Sequence, residues 1–376
     1  MDVRMRVDGR PTRTIWLEPD HESVGIIDQT RLPHAFATCR LASLADAANA
    51  ISTMQVRGAP LIGATAAFGM WLAMRDDPSD EGVARARSRL LATRPTAVNL
   101  RWALDRVAAA LARCPEPARA DAALACAGQI VEEDVTINRC IGEAALPLIS
   151  RIAERRDSGP VNVLTHCNAG WLATVDWGTA TAPIYMAHDA GIAVHVWVDE
   201  TRPRNQGAGL TAWELANHGV PHTVIVDSAA GHYMSRGEVD LVLTGVDRAT
   251  ATGDICNKIG TYQKALAAKD TGVPFYAALP SPTIDWTIRD AMTEIPIEER
   301  GAEEVTRLTG RLDDGTVATI SITPPGTRAA NPAFDVTPAR LLAGLVTERG
   351  IAQASEQGLL ALFPERQDTG DQEGAT

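Results

Sequence analysis

The sequence predicts an α/β protein in which a mainly helical N-terminal region precedes a parallel β-sheet with helices on both faces. Two observations lead to this prediction. Apolar residues recur at helical spacing through the first 155 residues, and short apolar runs then alternate with helix-like segments. The chain has 376 residues, of which 45% are hydrophobic and 22% are charged. This length allows about two domains, and the composition is that of a globular protein.

The N-terminal region contains three segments with helical periodicity, residues 41–55, 98–113 and 121–155. A fourth segment, from Gly58 to Met74, carries no charge. It is shorter than the roughly 20 apolar residues of a membrane span and contains glycine and proline, so it predicts a buried helix. Strands are expected here only in the short runs at Arg13–Leu17 and Ser23–Asp28.

The second region follows the polar segment RRDSGP at residues 155–160, which predicts a boundary between domains at 1–155 and 156–363. Its predicted strands are Val161–Thr165, Ile192–Val198, His222–Val226, Leu241–Thr244 and Val273–Ala278, and its predicted helices include Leu210–Asn217 and Asn257–Lys269. Nearly continuous apolar strands are typical of parallel sheets, which are buried on both faces. The polar residues 364–376 predict a disordered tail.

Candidate functional residues follow the predicted strands, because ligands of open parallel sheets bind beyond the carboxyl ends of the strands. Cys167, Gln206 and Asp247 lie in three such positions. The segment 253–258 is expected to open a helix with Asp254 as its N-cap. Free N–H groups at that helix start, beside Lys258, would suit a phosphate.

The residues alone leave two interpretations open at each of three positions. Cys167 fits a nucleophile or base, but also a small buried apolar group. Asp247 fits a catalytic acid, but also a structural ion pair with Arg248. His166 adjoins Cys167, yet neighbours on a strand point to opposite faces, which argues against His166 as the base for Cys167.

Composition and missing motifs exclude several classes of function. The net charge is −12, with no basic block, which argues against a nucleic-acid partner. No GxGxxG or GxxxxGK[ST] motif is present, so neither a dinucleotide nor a nucleoside triphosphate is indicated. None of the six cysteines forms a CxxC pair, and the N-terminus lacks an apolar signal region. We therefore expect a cytoplasmic protein without metal or membrane contact.

Several long segments together resemble one known family. They are IIDQTRLP (26–33), VRGAPLIGATAAFG (56–69), TRPTAVNLRWALDR (93–106), LTHCNAGWLAT (164–174), VDETRPRNQGAGLTAWEL (198–215), GVDRATATGDICNKIGTY (245–262), IPIEER (295–300) and NPAFDVTP (331–338). In this order they resemble methylthioribose-1-phosphate isomerases. That family belongs to a superfamily shared with regulatory subunits of a translation-initiation exchange factor.

The resemblance implies a Rossmann-like parallel-sheet domain after the helical domain, a homodimer, and conversion of a 5-methylthio-pentose 1-phosphate from aldose to ketose in methionine salvage. It implies no cofactor and no metal, and it assigns catalysis to Cys167 and Asp247. Phosphate and sugar contacts are implied for Arg57, Gly58, Ala59, Arg94, Gln206, Asn257 and Lys258. Because two of these arginines come from the helical region, the site is expected in a cleft between domains.

The implied chemistry requires the sugar ring to open before hydrogen moves between C2 and C1. Asp247 would act as the acid, with a pKa raised by apolar surroundings such as Val246. Cys167 would act as a thiolate base, its pKa lowered by a cation or by a helix start after Gly170. Hydride transfer from C2 to C1, with Cys167 shaping an apolar pocket, is the alternative.

Three positions depart from the family pattern: Val246 replaces an alanine, Gly209 replaces an arginine, and residues 279–285 read LPSPTID. These changes leave the 5-substituent open, with 5-deoxyribose 1-phosphate as another possible substrate. Ribose 1,5-bisphosphate would need a second cationic site, and the sequence shows no obvious one. A non-catalytic regulatory subunit would need neither Cys167 nor Asp247.

Overall fold

The N-terminal region is built around a buried central helix. The computed structural model describes residues 5–94 and 97–367. Its first ten elements are β1 (Arg6–Val7), β2 (Arg10–Pro11), β3 (Ile15–Leu17), β4 (Val24–Ile27), β5 (Thr38–Leu41), α1 (Leu44–Ser52), α2 (Ala59–Asp76), α3 (Asp80–Leu91), α4 (Val98–Leu111) and α5 (Arg119–Glu154). The helices predicted within 41–55, 98–113 and 121–155 are confirmed as α1, α4 and α5.

Helix α2 covers the uncharged stretch and is buried on nearly all sides by α1, α3, α4 and α5. The prediction of a buried helix is therefore correct. Among residues 5–94 and 97–367, no helix is both long and apolar enough to cross a membrane. Strands β3, β4 and β5 form an antiparallel sheet beside these helices. The sequence predicts β3 and β4 but not β5, since only one of the four β5 side chains is buried and the strand shows no apolar pattern.

The second region is a doubly wound sheet with a smaller sheet at its side. Its elements are β6 (Val161–Thr165), α6 (Ala182–Asp189), β7 (Val194–Asp199), α7 (Ala212–His218), β8 (His222–Ile225), α8 (Ala230–Ser235), β9 (Leu241–Thr244), β10 (Arg248–Thr250), β11 (Ile255–Lys258), α9 (Thr261–Thr271), β12 (Phe275–Ala278), β13 (Ile284–Asp285), α10 (Ala291–Glu294), α11 (Glu303–Thr306), β14 (Arg307–Arg311), β15 (Val317–Ser321), β16 (Phe334–Thr337), β17 (Gly344–Thr347), β18 (Gly350–Ala352) and α12 (Glu356–Leu362).

The main sheet has the strand order β18-β17-β12-β9-β6-β7-β8, and every pair except β17–β18 is parallel. Numbered along the chain, the six parallel strands therefore run 3-2-1-4-5-6, the order of Rossmann-type sheets. The predicted fold class is confirmed, and all five predicted strands belong to this sheet. The order reverses between β6 and β9, so the structure has a topological switch point there.

One predicted helix starts in the wrong place. Asn257 and Lys258 lie on β11, which pairs with both β10 and β16. The helix α9 begins only at Thr261, after Gly260 in the left-handed conformation at φ +104°. Asp254 does not cap α9, and its Oδ1 instead accepts a hydrogen bond from the Ala339 N–H, at the start of a 3₁₀ turn, at 2.8 Å. Pairing on both sides explains the strand, because it satisfies the backbone of β11 without a helix.

The C-terminal tail begins with ordered structure rather than the predicted disorder. Pro364–Arg366 form a turn of 3₁₀ helix. Glu365 forms an ion pair with Arg349 at 2.8 Å, and the Arg366 guanidinium lies 5.7 Å from the ring centre of Trp286. These contacts explain why the first tail residues stay folded. The remainder of the predicted tail, residues 368–376, lies outside the described residues.

Helix α5 belongs to both hydrophobic cores. Ala127 and Ile130, in its first half, pack into the core around α2. Ile141 and Ile149, in its second half, pack into the core that lies on one face of the main sheet. The helix ends just before the polar segment 155–160, where the sequence places the domain boundary.

Candidate functional site

The candidate site is a cleft at the switch point of the main sheet. Cys167 follows β6, and Asp247 follows the neighbouring strand β9. The N-terminus of α2 reaches the same cleft from the helical region. The structure brings all nine residues proposed from the sequence to the lining of this one cleft: Arg57, Gly58, Ala59, Arg94, Cys167, Gln206, Asp247, Asn257 and Lys258.

Cys167 has an unusual backbone conformation. Its φ is +64°, in the left-handed region that residues other than glycine rarely adopt. Its thiol donates a hydrogen bond to Gln206 Oε1 at a distance of 3.3 Å. Gln206 lies just before a turn of π-helix at Gly207–Thr211, which leads into α7. The loop after β7 thereby places a polar group against the thiol.

Burial controls the ionisation of both Cys167 and Asp247. Loss of solvent raises the pKa of the Cys167 thiol, and the charges of Arg57 and Lys258 oppose this shift only in part. The thiolate route therefore does not have the lowered pKa that it would require. The segment after Gly170 is a single 3₁₀ turn, Trp171–Ala173, rather than a helix that could stabilise a thiolate. Burial also raises the pKa of Asp247, as predicted, against the opposing charges of Arg94, Arg57 and Lys258.

Three cations of the cleft, Arg57, Arg94 and Lys258, are held in different ways. Arg57 donates hydrogen bonds to the side chain and the backbone carbonyl of Asn168. Arg94 forms an ion pair with Glu298 at 3.1 Å. Among residues 5–94 and 97–367, Lys258 has no carboxylate within 4 Å, and burial lowers its pKa. Lys258 and Arg57 therefore have no ion-pair partner among the described residues, and Lys258, unlike Arg57, also has no hydrogen bond to a neighbouring side chain in the described structure.

The start of α2 adds backbone donors to the cleft. Gly58 has φ +89°, and a Cβ atom there would lie 2.4 Å from the carbonyl oxygen of Ala173. Only glycine fits this close approach. No side chain caps the helix, and its start lines the cleft, which brings the N–H groups of Gly58 and Ala59 and the positive end of the helix dipole to the cleft; Pro60 has no N–H to add. Such a helix start is a ready anion site.

Besides Arg248, two arginines of the cleft, Arg204 and Arg300, are absent from the residues proposed from the sequence. Both form ion pairs with Glu304, at 2.9 and 2.7 Å. The hydrogen bonds from these arginines lower the pKa of Glu304 to about 2, although burial of the carboxyl acts in the opposite direction. The segments DETRPRNQ and IPIEER, which carry these arginines, were the available sequence signal.

A buried acid supports Arg57 through Asn168. Glu214 is fully buried, and its Oε1 accepts hydrogen bonds from the Asn168 side chain at 3.0 Å and the Leu172 N–H at 2.7 Å. Its other oxygen accepts from the Tyr185 hydroxyl at 3.0 Å. Burial raises the pKa of Glu214 to about 7, and these hydrogen bonds oppose the shift. Asn168 thus links Arg57 to a carboxyl that lies outside the cleft.

A second group of buried charges lies directly behind Cys167. His166 Nδ1 and Lys264 Nζ each lie 3.1 Å from Asp199 Oδ2, and both lie 4.0 Å from Asp227 Oδ1. His166 Nε2 contacts the carbonyl oxygen of Ile259 at 2.8 Å. We call these four side chains the buried charge cluster.

The buried charge cluster includes one histidine and two aspartates close enough to hold a metal ion. The arrangement does not fit a metal. Both ring nitrogens of His166 already contact oxygen atoms, Asp199 Oδ2 and the Ile259 carbonyl oxygen, so neither nitrogen is open to an ion. The Lys264 ammonium already supplies positive charge between the carboxylates.

The structure answers two questions left open by the sequence. Arg248 forms its ion pair with Asp285 at 3.5 Å, and the charges acting on Asp247 come from Arg94, Arg57, Lys258 and Glu298. His166 is bound within the buried charge cluster, as the argument from strand geometry predicts, and not to Cys167.

Comparisons with known proteins agree with this architecture. The sequence profile of the Initiation factor 2 subunit family matches residues 55–354. A protein named methylthioribose-1-phosphate isomerase from Methylorubrum extorquens is 65% identical over 362 residues, which cover 96% of this chain and 99% of that protein.

Two solved structures are similar over nearly the whole chain. The 5-methylthioribose 1-phosphate isomerase of Pyrococcus horikoshii is 36% identical with a TM-score of 0.81, covering 97% of this chain and 100% of that one. A structure described as translation initiation factor eIF-2B, subunit delta, from A. fulgidus is 37% identical with a TM-score of 0.76, covering 94% and 99%.

Proposed function

The chain belongs to the initiation factor 2 subunit family, among its methylthioribose-1-phosphate isomerases, and we infer that it is an aldose–ketose isomerase. It converts 5-methylthioribose 1-phosphate into 5-methylthioribulose 1-phosphate, a step of methionine salvage. One observation supports this function above the others. The Cys167 thiol and the Asp247 carboxyl, both with raised pKa values, lie in the same cleft as a group of cationic side chains that can bind a phosphate.

We propose that the 1-phosphate binds at the start of α2. The N–H groups of Gly58 and Ala59 would donate to its oxygens, with Lys258, Arg94 and Asn257 around them. Lys258 has no carboxylate within 4 Å in the described structure, so a dianionic phosphate would supply the missing counter-charge. Arg57 and Gln206 would contact the sugar next to Cys167.

Asp247 is proposed as the acid that opens the ring. With its pKa raised by burial, its carboxyl holds a proton more readily than an exposed aspartate. That proton moves to the ring oxygen as the bond between this oxygen and C1 breaks, which leaves an electron-poor C1. The carboxylate that remains can later accept the proton of the 2-hydroxyl, so Asp247 ends the cycle as it began.

The raised pKa of Cys167 favours hydride transfer over the thiolate route. In the hydride route, hydrogen moves with its electron pair from C2 to C1, and the 2-hydroxyl becomes the carbonyl as its proton leaves. The thiol need not ionise, which agrees with its hydrogen bond to Gln206. Cys167 would then shape and dry the pocket around C1 and C2. In the thiolate route, Cys167 would instead remove the C2 proton and return it to C1.

Neither route requires a redox cofactor, because C2 loses the electrons that C1 gains. The partner is therefore the sugar phosphate itself, and no metal is needed to activate it. We also propose that the protein is a homodimer and that each chain has two domains, which meet near residues 155–156. The six cysteines, all free in the structure, support the proposal of a reducing, cytoplasmic compartment.

The cleft favours the methylthio substrate over ribose 1,5-bisphosphate. A second phosphate would need its own cations, and the two additional arginines, Arg204 and Arg300, are already paired with Glu304. A non-catalytic regulatory subunit would not need a buried acid and thiol facing one anion site.

A substrate comparison tests the proposed function. The purified protein is assayed with 5-methylthioribose 1-phosphate, 5-deoxyribose 1-phosphate and ribose 1,5-bisphosphate, and formation of the ketose is followed. We expect kcat/KM to be highest for the methylthio compound. Preference for another substrate would change the assignment of the 5-substituent, and no turnover with any of them would contradict the isomerase.

The role of Cys167 has its own test. Cys167→Ala should fold normally and lose about 10²- to 10⁴-fold in kcat, the range for a positioned catalytic group. Cys126→Ala, at a buried cysteine of the helical core, is the matched control and should keep wild-type kcat. If Cys167→Ala stays within a few-fold of wild type, the cysteine is only a buried core residue.

A further inference from the structure

We propose that Thr201 and Thr211 are positioning residues that hold Cys167 in its left-handed conformation and so aim its thiol into the cleft. The proposal rests on the proposed role of Cys167 and names two residues that neither the sequence motifs nor the mechanism above had assigned. We call the two hydroxyls and the Cys167 backbone between them the threonine clamp.

The threonine clamp grips Cys167 from both sides. The Cys167 N–H donates to Thr201 Oγ1 at 2.8 Å, and the Thr211 hydroxyl donates to the Cys167 carbonyl oxygen at 2.7 Å. Both threonines are fully buried. Their hydroxyls come from different segments, the loop after β7 and the π-turn before α7, so the two bonds fix the Cys167 backbone independently.

The conformation of Cys167 requires such support. A non-glycine residue at φ +64° is strained, and this conformation persists only where its surroundings determine it. If either hydroxyl were lost, a buried backbone group of Cys167 would lack its partner. Rotation of Cys167 toward an ordinary φ would then move Sγ away from Gln206, its hydrogen-bond acceptor in the cleft.

Thr201 is itself held in place by the chain around it. Its φ is +63°, and its hydroxyl donates to the Asp199 carbonyl oxygen at 3.0 Å. The N–H groups of Thr201 and Arg202 donate to the two carboxyl oxygens of Asp227, at 2.8 and 2.7 Å. The threonine clamp is therefore anchored to an acid of the buried charge cluster. This anchoring makes the position of the thiol depend on residues that never reach the substrate.

Thr211 also connects the clamp to the support of Arg57. Its Oγ1 accepts a hydrogen bond from the Asn168 side chain at 3.2 Å while its hydrogen is donated to Cys167. Asn168 is the residue that binds the Arg57 guanidinium. One hydroxyl thus fixes the thiol and the neighbouring cation relative to each other.

Removing one hydroxyl at a time tests the clamp. Thr201→Val and Thr211→Val keep the side-chain shape, whereas Thr201→Ser and Thr211→Ser keep the hydroxyl. We expect each valine variant to lose about 10- to 100-fold in kcat with KM within about threefold, since small misplacements of reacting groups cost up to about 10²-fold. Each serine variant should restore most of the kcat.

The rate at which iodoacetamide alkylates Cys167, followed by mass spectrometry of its peptide, reports the thiol independently of turnover. It should change at least about threefold in the valine variants and not in the serine variants. Thr347→Val is the matched control, because Thr347 is equally buried and its hydroxyl donates to a backbone carbonyl, that of Gly350, outside the cleft. It should keep wild-type kcat and alkylation rate.

Valine variants with wild-type kcat and alkylation rate would overturn the proposal, as would serine variants as impaired as the valine variants. If the valine variants do not fold, a loss of more than tenfold in kcat in folded serine variants would also overturn it. Failure of the proposed function looks different: the wild-type protein would not turn over the sugar phosphate, whereas the alkylation rate would still report the clamp.

Discussion

The cleft and the buried charge cluster receive side chains from two consecutive residues, Cys167 and His166, yet the two sites differ in whether their ionisable groups have close partners. In the cluster, His166 and Lys264 surround Asp199 at 3.1 Å, so each buried charge has close partners. In the cleft, no described side chain hydrogen-bonds to the Asp247 carboxyl, and burial leaves its pKa raised. The adjacent residues His166 and Cys167 make their side-chain polar contacts in these two different environments.

The difference shows how one strand end can serve stability and chemistry together. Paired buried charges resist change, because loss of one partner leaves the other unsolvated. Buried groups without such partners keep unusual protonation states and can pair with a ligand instead. The same substitution, aspartate to asparagine, should therefore have opposite consequences in the two places.

The largest effect is expected from Asp247→Asn. The amide keeps the shape of the carboxyl but cannot deliver a proton, so kcat should fall about 10²- to 10⁴-fold. KM and Tm should stay close to wild type, because no described ion pair is broken. Steady-state kinetics and thermal unfolding of this single variant measure all three. A destabilised but active protein would make Asp247 a structural residue.

Asp199→Asn should instead act on stability. It leaves the Lys264 ammonium and the His166 ring without their closest carboxylate, which costs about 3–5 kcal/mol in the free energy of unfolding. Urea denaturation measures this loss, with Asp247→Asn as the matched control. If the unfolding free energies of Asp199→Asn and Asp247→Asn agree within about 1 kcal/mol, the buried charge cluster is no more important for stability than Asp247 in the cleft.

Lys258→Ala tests whether Lys258, a cation of the cleft without a carboxylate within 4 Å in the described structure, binds the phosphate. Loss of a charge-assisted hydrogen bond is worth about 1.5–3 kcal/mol, which corresponds to a rise in KM of about 10- to 150-fold. We expect kcat to change much less, since the phosphate is held in ground and transition states alike. The exposed Lys269→Ala is the control. A fall in kcat at constant KM would contradict simple phosphate anchoring.

The last effect, on the pH dependence of stability, is expected from Glu214, a buried acid with hydrogen bonds but without a direct ion pair among the described residues. Its folded pKa of about 7 lies above the ordinary 4.5, so the unfolded chain loses this proton first as the pH rises. Glu214 therefore makes folding less favourable as the pH rises from about 4.5 to 7, by about 1.4 kcal/mol per pH unit.

Glu214→Gln should remove this contribution, so its unfolding free energy should fall less steeply than that of wild type between pH 5 and 6.5. Asp134, another buried acid with a pKa raised to about 7, leaves some slope in both proteins. Glu116→Gln, at an exposed glutamate, should follow wild type. Parallel curves for Glu214→Gln and wild type would show that Glu214 ionises normally in the fold.

The sequence was informative where chemistry follows strand ends. Buried strands leave continuous apolar runs, so the positions of Cys167 and Asp247 after β6 and β9 could be read directly. The strand β11 could not be predicted from the sequence, because Asn257 and Lys258 are polar and their pairing partners in β16 are almost 80 residues away. Asn257 and Lys258 nevertheless line the cleft, as predicted, because a residue can reach the cleft from a strand as well as from a helix.

The electrostatics of the site were harder to predict from sequence. The direction of the Cys167 pKa depends on how completely the cleft excludes water, and no local pattern contains that information. The pairing of Arg204 with Glu304 joins residues 100 positions apart. The threonine clamp could likewise not be predicted, because a hydroxyl that accepts a hydrogen bond from a backbone N–H does not change the hydrophobic periodicity of the sequence.

Helix α5 sets a limit on how this chain can vary in length. Its first half is packed in one core and its second half in the other, while the cleft takes residues from both regions. One residue inserted near the middle of α5 would rotate its second half by about 100° and shift it by about 1.5 Å. Loops at the surface can gain or lose residues without such a change. The residue count of α5 is therefore fixed by the spacing that the two sides of the cleft must keep.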